Sequence, residues 1–190
     1  MLVLASRSPQ RRAILSAIGI DFRVAVSAFV ETERGSDPVA LARANAEGKA
    51  RDVAEGGDLD DGDVVLGVDT VVVLDGRSLG SPADRVDATA MLTALAGRAH
   101  VVVSAICLVS GTRVHTATSE TIVRFRTLRP DEIAGYVVTG EWRDRAGGYA
   151  IQAAGMALVA EIHGDYSNVV GLPVATLLRG LGELGRRHPG

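Results

Sequence analysis

The chain has 190 residues, 47% of them hydrophobic and 23% charged, with a net charge of -3 at neutral pH. That length can bury a substantial core, and the composition excludes a disordered chain and a broad basic footprint for nucleic acid. No apolar run reaches membrane-spanning length and no signal-peptide pattern opens the chain, so a cytoplasmic protein of one domain, 1-190, with no membrane or nucleic-acid partner is expected.

Leu2 to Ala5 reads as a short buried strand, followed by a helix with Ser8 as N-cap, Pro9 at its first position and Gly19 as its stop. Arg11 and Arg12 fall in the first turn of that helix. Cations there oppose the macrodipole unless an anion lies between them and the free amides. Two readings stay open: a phosphate site built from the helix start, the Ser6 and Ser8 hydroxyls and a guanidinium, or a solvated helix end with surface arginines. Ile20 to Val26 alternates like a half-buried strand, and a loop with Glu31 and Glu33 follows.

Asp37-Pro38 opens a helix to about Glu55, whose spacing sets Asn45 and Lys49 on one face. Lys49 is the single lysine among the 20 Lys and Arg residues. A compact ammonium makes point-charge contact with a phosphate where a planar guanidinium does not fit, although chance survival of one surface lysine would leave the same composition. Gly48 beside it marks close packing or ligand approach. Gly56 to Asp63 is acidic and Gly-rich without calcium-loop spacing, and reads as a solvated linker.

Val64 to Leu74 is an apolar, β-branched run with one carboxylate, Asp69, at its centre, ended by Asp75-Gly76. A charge in a buried strand needs a cation, a metal or hydrogen bonds to offset desolvation, which makes Asp69 a functional candidate. Its alternative is a frayed strand end where it caps local amides. Gly67 suggests close approach of a ligand or another backbone, and Thr70 adds a hydroxyl beside the carboxylate.

Further on, Asp75-Gly76 turns into Arg77 to Leu79, and Ser81-Pro82 opens a helix to Gly97. Val101 to Val109, which contains the lone Cys107 as a small core residue, and Thr112 to Phe125 form an antiparallel pair. A short helix runs from Pro130 to Gly140. The polar, Gly-rich stretch Glu141 to Gln152 reads as a loop entering a strand, of the kind that carries function more often than packing. Met156 to Ile162 is another strand, and Leu172-Pro173 leads into a C-terminal helix with Leu177, Leu178, Leu181 and Leu184. Helices and strands are mixed with at least one antiparallel pair, so the class is α/β or α+β with a mixed sheet.

Taken together, Ser6-x-Ser8-Pro9-x-Arg11, Glu31, Lys49, Gly67-x-Asp69-Thr70, Asp144-x-Ala146-Gly147-x-Tyr149-x-Ile151-Gln152, Gly164-Asp165-Tyr166 and Gly171-Leu172-Pro173 form an ordered set over nearly the whole chain. That set resembles the Maf family of nucleoside triphosphate pyrophosphatases. The resemblance implies an α/β fold with a mixed, twisted sheet in two lobes around a nucleotide cleft, similar to inosine triphosphate pyrophosphatase, and a homodimer. It also implies hydrolysis of a nucleoside triphosphate to monophosphate and pyrophosphate with a divalent cation, Mg²⁺ or Mn²⁺.

By the same resemblance Asp69 is the proton acceptor, Glu31 the second acidic group at the metal, and Lys49, Arg11, Ser6 and Ser8 face the triphosphate. The chain departs from the family at Gly80-Ser81-Pro82, where many members have Gly-Lys-Pro. Arg145, at a loop position where the family has lysine, is the candidate replacement; otherwise turnover is weaker. Of the three positions implied to read the base, Thr70 and Gln152 match the dTTP/UTP type and Gln10 does not. Three functions remain: a dTTP/UTP pyrophosphatase, the same reaction on 7-methyl-GTP or another modified nucleotide, and a weakly catalytic nucleotide-binding regulator of septum formation.

Overall fold

A computed structural model describes residues 1–32 and 37–186, so Glu33 lies outside the described residues. The strands are β1 (Leu2–Leu4), β2 (Phe22–Val24), β3 (Val64–Leu74), β4 (Arg77–Leu79), β5 (Ala99–Ser110), β6 (Arg113–Phe125) and β7 (Val159–His163). The α-helices are α1 (Pro9–Ala17), α2 (Pro38–Gly56), α3 (Arg85–Leu95), α4 (Pro130–Thr139), α5 (Tyr166–Val170) and α6 (Val174–Glu183). No helix among the described residues is long and apolar enough to cross a membrane.

All seven strands join one mixed sheet in the order β2-β1-β3-β5-β6-β7, with β4 beside β3. Strands β2, β1 and β3 run parallel, whereas β3, β5, β6 and β7 are successively antiparallel. Because side chains alternate across a strand, β3 divides its residues between two cores. Val65 packs with Ala46, Ala50 and Val53 of α2, while Leu66 and Val68 pack with Leu15 of α1 and Leu177 and Leu181 of α6. A third core lies at the far end, where Leu92, Phe125, Trp142 and Tyr149 meet.

Strand β3 is paired to β5 from Val65 to Val73, but its other edge is interrupted. There β1 covers Val64 to Leu66 and β4 covers Val72 to Leu74, leaving residues 67–71 without a strand partner on that side. This gap in the ladder lies where Asp69 and Thr70 fall. A bare backbone edge needs other partners, and the Val68 carbonyl finds one in the Lys49 ammonium at 3.3 Å.

Several sequence expectations change. Helix α3 starts at Arg85 because Asp84 caps the amides of Val86 and Asp87, leaving Ser81-Pro82 outside it. The stretch after Tyr149 makes turns and a 3-10 helix over Ala154–Leu158 instead of a strand, so β7 begins only at Val159. The five-residue α5, capped by Asp165 on the Ser167 amide, was not anticipated. In the acidic linker, Asp63 is buried and accepts from Arg23 and the Asp60 amide, so that end is anchored. Cys107 is buried in the core as expected, and burial pushes its thiol pKa up.

Gly67 is explained by helix packing and not by a ligand. A Cβ at that position would lie 2.0 Å from the Ala46 carbonyl oxygen and 2.8 Å from the Ala50 nitrogen, both backbone atoms of α2. Gly67→Ala is therefore expected to destabilise the fold by about 3 kcal/mol or more, the upper end for overpacking. Urea unfolding measures this, and an unchanged midpoint would mean that α2 does not sit this close to β3.

Candidate active site

Asp69 and Lys49 come from different elements and meet inside the protein. Asp69 points to the α2 side of β3 with 6% exposure, and Lys49 reaches down from α2 with 7% exposure. Lys49 Nζ donates to Asp69 Oδ1 at 2.8 Å and to the Val68 carbonyl at 3.3 Å, and pairs with Glu31 Oε1 at 2.9 Å. An ammonium has three donors. All three have acceptors here, two of them carboxylates, so the trio carries a net negative charge. The capping alternative for Asp69 does not apply, nor does a surface position for Lys49.

The second Asp69 oxygen, Oδ2, accepts from Asn45 Nδ2 at 3.2 Å. Asn45 is buried one turn before Lys49 on the same face of α2. Gly48 is also explained by packing, since a Cβ there would enter the Phe29 ring at 2.3 Å. The loop carrying Phe29 and Glu31 therefore lies directly against this helix.

Thr70 leaves the opposite face of β3 and joins a second network. Arg11, buried at the start of α1, donates to the Gly171 carbonyl at 2.9 Å, to Ser6 Oγ at 2.9 Å and to Thr70 Oγ1 at 3.3 Å. Thr70 Oγ1 also lies 2.8 Å from Ser104 Oγ. Burial lowers the guanidinium pKa, and the nearby negative charges of Asp69 and Glu31 act in the opposite sense. Arg12 is exposed. Of the two arginines at the helix start, one ties together β3, the first loop and the segment after α5, and the other is solvated.

These networks flank a cleft of about 330 Å³ lined by Ser8, Arg11, Glu31, Lys49, Asp69, Thr70, Ser81, Arg145, Gln152 and neighbouring residues. Ser6, Arg7 and the 26–29 segment line an adjoining hollow that shares Arg11, Glu31 and Lys49. Ser81 and Arg145 face the same cleft, and their loops are joined by the Gly147 amide donating to the Gly80 carbonyl at 3.0 Å. Gln10 is the expected site residue that falls outside the lining. Its Oε1 accepts from the Ser8 hydroxyl at 3.1 Å, so it supports Ser8.

Sequence reasoning left Asn45 without a role, although its spacing from Lys49 was visible. It missed Ser104 altogether, because a serine in an apolar strand gives no signal until the register sets it opposite Thr70. Val169, Val170 and Gly171 at the cleft depend on α5.

Comparison with known proteins places this geometry in context. The family profile described as Maf-like protein matches residues 1–184. A Symbiobacterium thermophilum protein named dTTP/UTP pyrophosphatase is 45% identical over 185 residues, covering 97% of this chain and 94% of the relative. A protein of that name from Pyrococcus furiosus is 42% identical over 187 residues, 98% of this chain and 96% of its own. Among solved structures, a HAM1 protein from Coxiella burnetii is 18% identical with a TM-score of 0.45, covering 65% of this chain and 72% of that one.

One wall of the cleft rests on a buried histidine. Tyr149 lines the cleft, and its hydroxyl lies 2.8 Å from His100 Nε2 in an edge-to-face cluster with Phe125. Burial pushes the His100 pKa down to about 4, against 6.5 when free. The unfolded chain therefore takes up a proton that the folded chain refuses between those values, so this stability is complete above the free value and is lost as pH falls towards about 4. Urea unfolding should show a loss of about 2 kcal/mol from this group between about pH 8 and pH 5. The same pair of measurements on His100→Gln should lack that component, and an identical pH dependence would exclude His100 as its source.

Proposed function

The chain belongs to the Maf-like protein family, and on that premise we propose that it is a nucleoside triphosphate pyrophosphatase acting on dTTP and UTP. What carries the reading is the convergence of Asp69, Lys49 and Glu31 in a polar cleft, in a chain 40–47% identical to relatives named for that activity. In the reaction a water oxygen bonds to the α-phosphorus, and the bond to the oxygen bridging the α and β phosphates breaks. Pyrophosphate leaves with the electron pair and the monophosphate remains.

Asp69 takes the water proton. Its oxygens retain lone pairs beside the Lys49 and Asn45 contacts, and those donors hold it aligned. Lys49 holds both carboxylates in register and offers its charge to phosphate oxygens as nucleotide enters. Arg11, Ser6 and Ser8 take the triphosphate from the α1 side, and Arg145 supplies the cation that Ser81 lacks.

A divalent cation suits this donor set. Glu31 and Asp69 bring two carboxylates to one wall of the cleft, both paired to the Lys49 ammonium, and no group of three or more His, Cys, Asp or Glu residues suited to hold a metal occurs among the described residues. Mg²⁺ is commonly held by one or two carboxylates together with substrate phosphates. Asp69 and Glu31 would hold it, and when bound it neutralises charge on the phosphates. Mg²⁺ or Mn²⁺ belongs to this reading, as do a homodimeric state and a cytoplasmic location.

For the base, Thr70 and Gln152 line the cleft whereas Gln10 is engaged with Ser8. That the two positions matching the dTTP/UTP type line the cleft supports the assignment of dTTP and UTP. A side-chain amide at Gln152 offers both donor and acceptor to a pyrimidine edge.

Pyrophosphate release across canonical, methylated and deaminated nucleoside triphosphates tests the reading, with dTTP and UTP expected to be preferred. Asp69→Asn should lower kcat by about 10²–10⁴-fold while binding persists. Wild-type turnover in that variant would remove Asp69 from the chemistry. Lys49→Arg should lower kcat about 10²-fold although charge is kept, because a planar fork cannot meet three acceptors arranged around a point and so displaces Asp69. Unchanged kinetics there would show that any cation suffices.

A further inference from the structure

The segment from Ser27 to Thr32 is gripped along its length by one face of α2. Asp52 accepts from Ser27 Oγ and the Ala28 amide, both at 2.7 Å. Gly48 opens the space for the Phe29 ring, Lys49 pairs with Glu31, and Asn45 holds Thr32. Residues 45, 48, 49 and 52 recur at helical spacing. The loop thus runs along the helix from Asp52 at Ser27 to Asn45 at Thr32, opposite in direction to the helix chain.

Two members of this stripe also touch Asp69: Lys49 at Oδ1, and Asn45, through a neutral amide, at Oδ2. Asn45 Oδ1 accepts from the Thr32 amide at 3.0 Å, and its Nδ2 donates to the Thr32 carbonyl at 2.9 Å and to Asp69 Oδ2 at 3.2 Å. The orientation of the amide is fixed, since a carbonyl and a carboxylate can only accept and a backbone N–H can only donate. At 3% exposure, Asn45 meets Thr32 as a neighbouring strand would and uses its remaining donor on the carboxylate. Aspartate here would bring a second negative charge to Asp69, alanine leaves the Thr32 pair and Asp69 Oδ2 without these partners, and glutamine is one methylene too long for the same three contacts.

We propose that Asn45 is a positioning residue that couples the Glu31 segment to Asp69, so that the two carboxylates are held in register as one unit. This rests on the pyrophosphatase reading for its kinetic consequences. Its structural content does not depend on that reading. Asn45 acts through Asp69 and Glu31 and not on the nucleotide.

The test compares wild type with Asn45→Ala and Asn45→Ser, using Asp52→Asn to weaken the far end of the segment without touching Asp69. Two readouts need no turnover: hydrogen exchange at the Thr32 amide, and the placement of the Asp69 and Glu31 carboxylates in a crystal structure of each folded variant. In the Asn45 variants, Thr32 protection should fall and the Asp69 carboxylate should turn from its wild-type orientation, because the donor that holds Oδ2 is gone. With nucleotide, kcat should fall about tenfold or more with a smaller change in KM. Asp52→Asn should speed exchange at Ala28 and leave the Asp69 carboxylate in place.

A folded Asn45 variant with an unmoved Asp69 carboxylate and unchanged Thr32 exchange would overturn the coupling. An unmoved carboxylate with faster Thr32 exchange would also overturn it, reducing Asn45 to a loop anchor. Should alanine prevent folding, the serine variant carries the same comparison. If wild type released no pyrophosphate from any nucleotide, the pyrophosphatase reading would fail while hydrogen exchange and the variant structures still judged Asn45.

Discussion

The pair formed by Lys49 and Asp69 at 2.8 Å is the contact on which the site depends. Removing either partner of a buried ion pair strands a charge in low dielectric, at a cost of about 3–5 kcal/mol. The protein can keep both because β3 loses its edge partner between β1 and β4, so the carboxylate sits at an opening in the sheet. Lys49 also satisfies the Val68 carbonyl that this opening leaves bare. One ammonium therefore balances a charge, completes a backbone edge and holds the Glu31 loop.

That arrangement requires α2 to lie unusually close to β3, and the residues along the contact show how this is achieved. Gly67 faces Ala46 and Ala50 with no room for a side chain, and Gly48 admits the Phe29 ring on another side of the helix. The missing side chain at Gly67 brings the α2 backbone near enough for Asn45 and Lys49 to reach Asp69, and the one at Gly48 lets the Glu31 loop lie against the helix. The opposite face of β3 is built differently. There buried Arg11, with bonds to Ser6, Thr70 and Gly171, draws three distant parts of the chain into one wall.

Much of this was legible beforehand because periodicity and turn chemistry are local. The β-branched run around Asp69, the Ser8-Pro9 helix start, the Asp37 cap and the Asp75-Gly76 turn all hold in the structure. The misread stretches are those where local signals compete. Asp84 is a cap close behind Ser81-Pro82 and its two amide bonds determine where α3 begins. The turns and 3-10 helices between Ala146 and Leu158 have no repeating pattern to detect, and α5 is too short to show one.

The sequence by itself determined which residues carry unusual chemistry: a carboxylate in an apolar strand, one lysine among arginines, and glycines where side chains would be expected. A buried charge is costly wherever it lies, and that cost is visible in composition and pattern without coordinates. Only the tertiary structure decided their partners. Strand register set Ser104 against Thr70, the interrupted edge of β3 opened the cleft, and helix α2 brought Asn45 from 24 positions away onto Asp69. Such pairings join residues far apart in the chain, so they are fixed by how the sheet and helices pack and leave no local pattern to read.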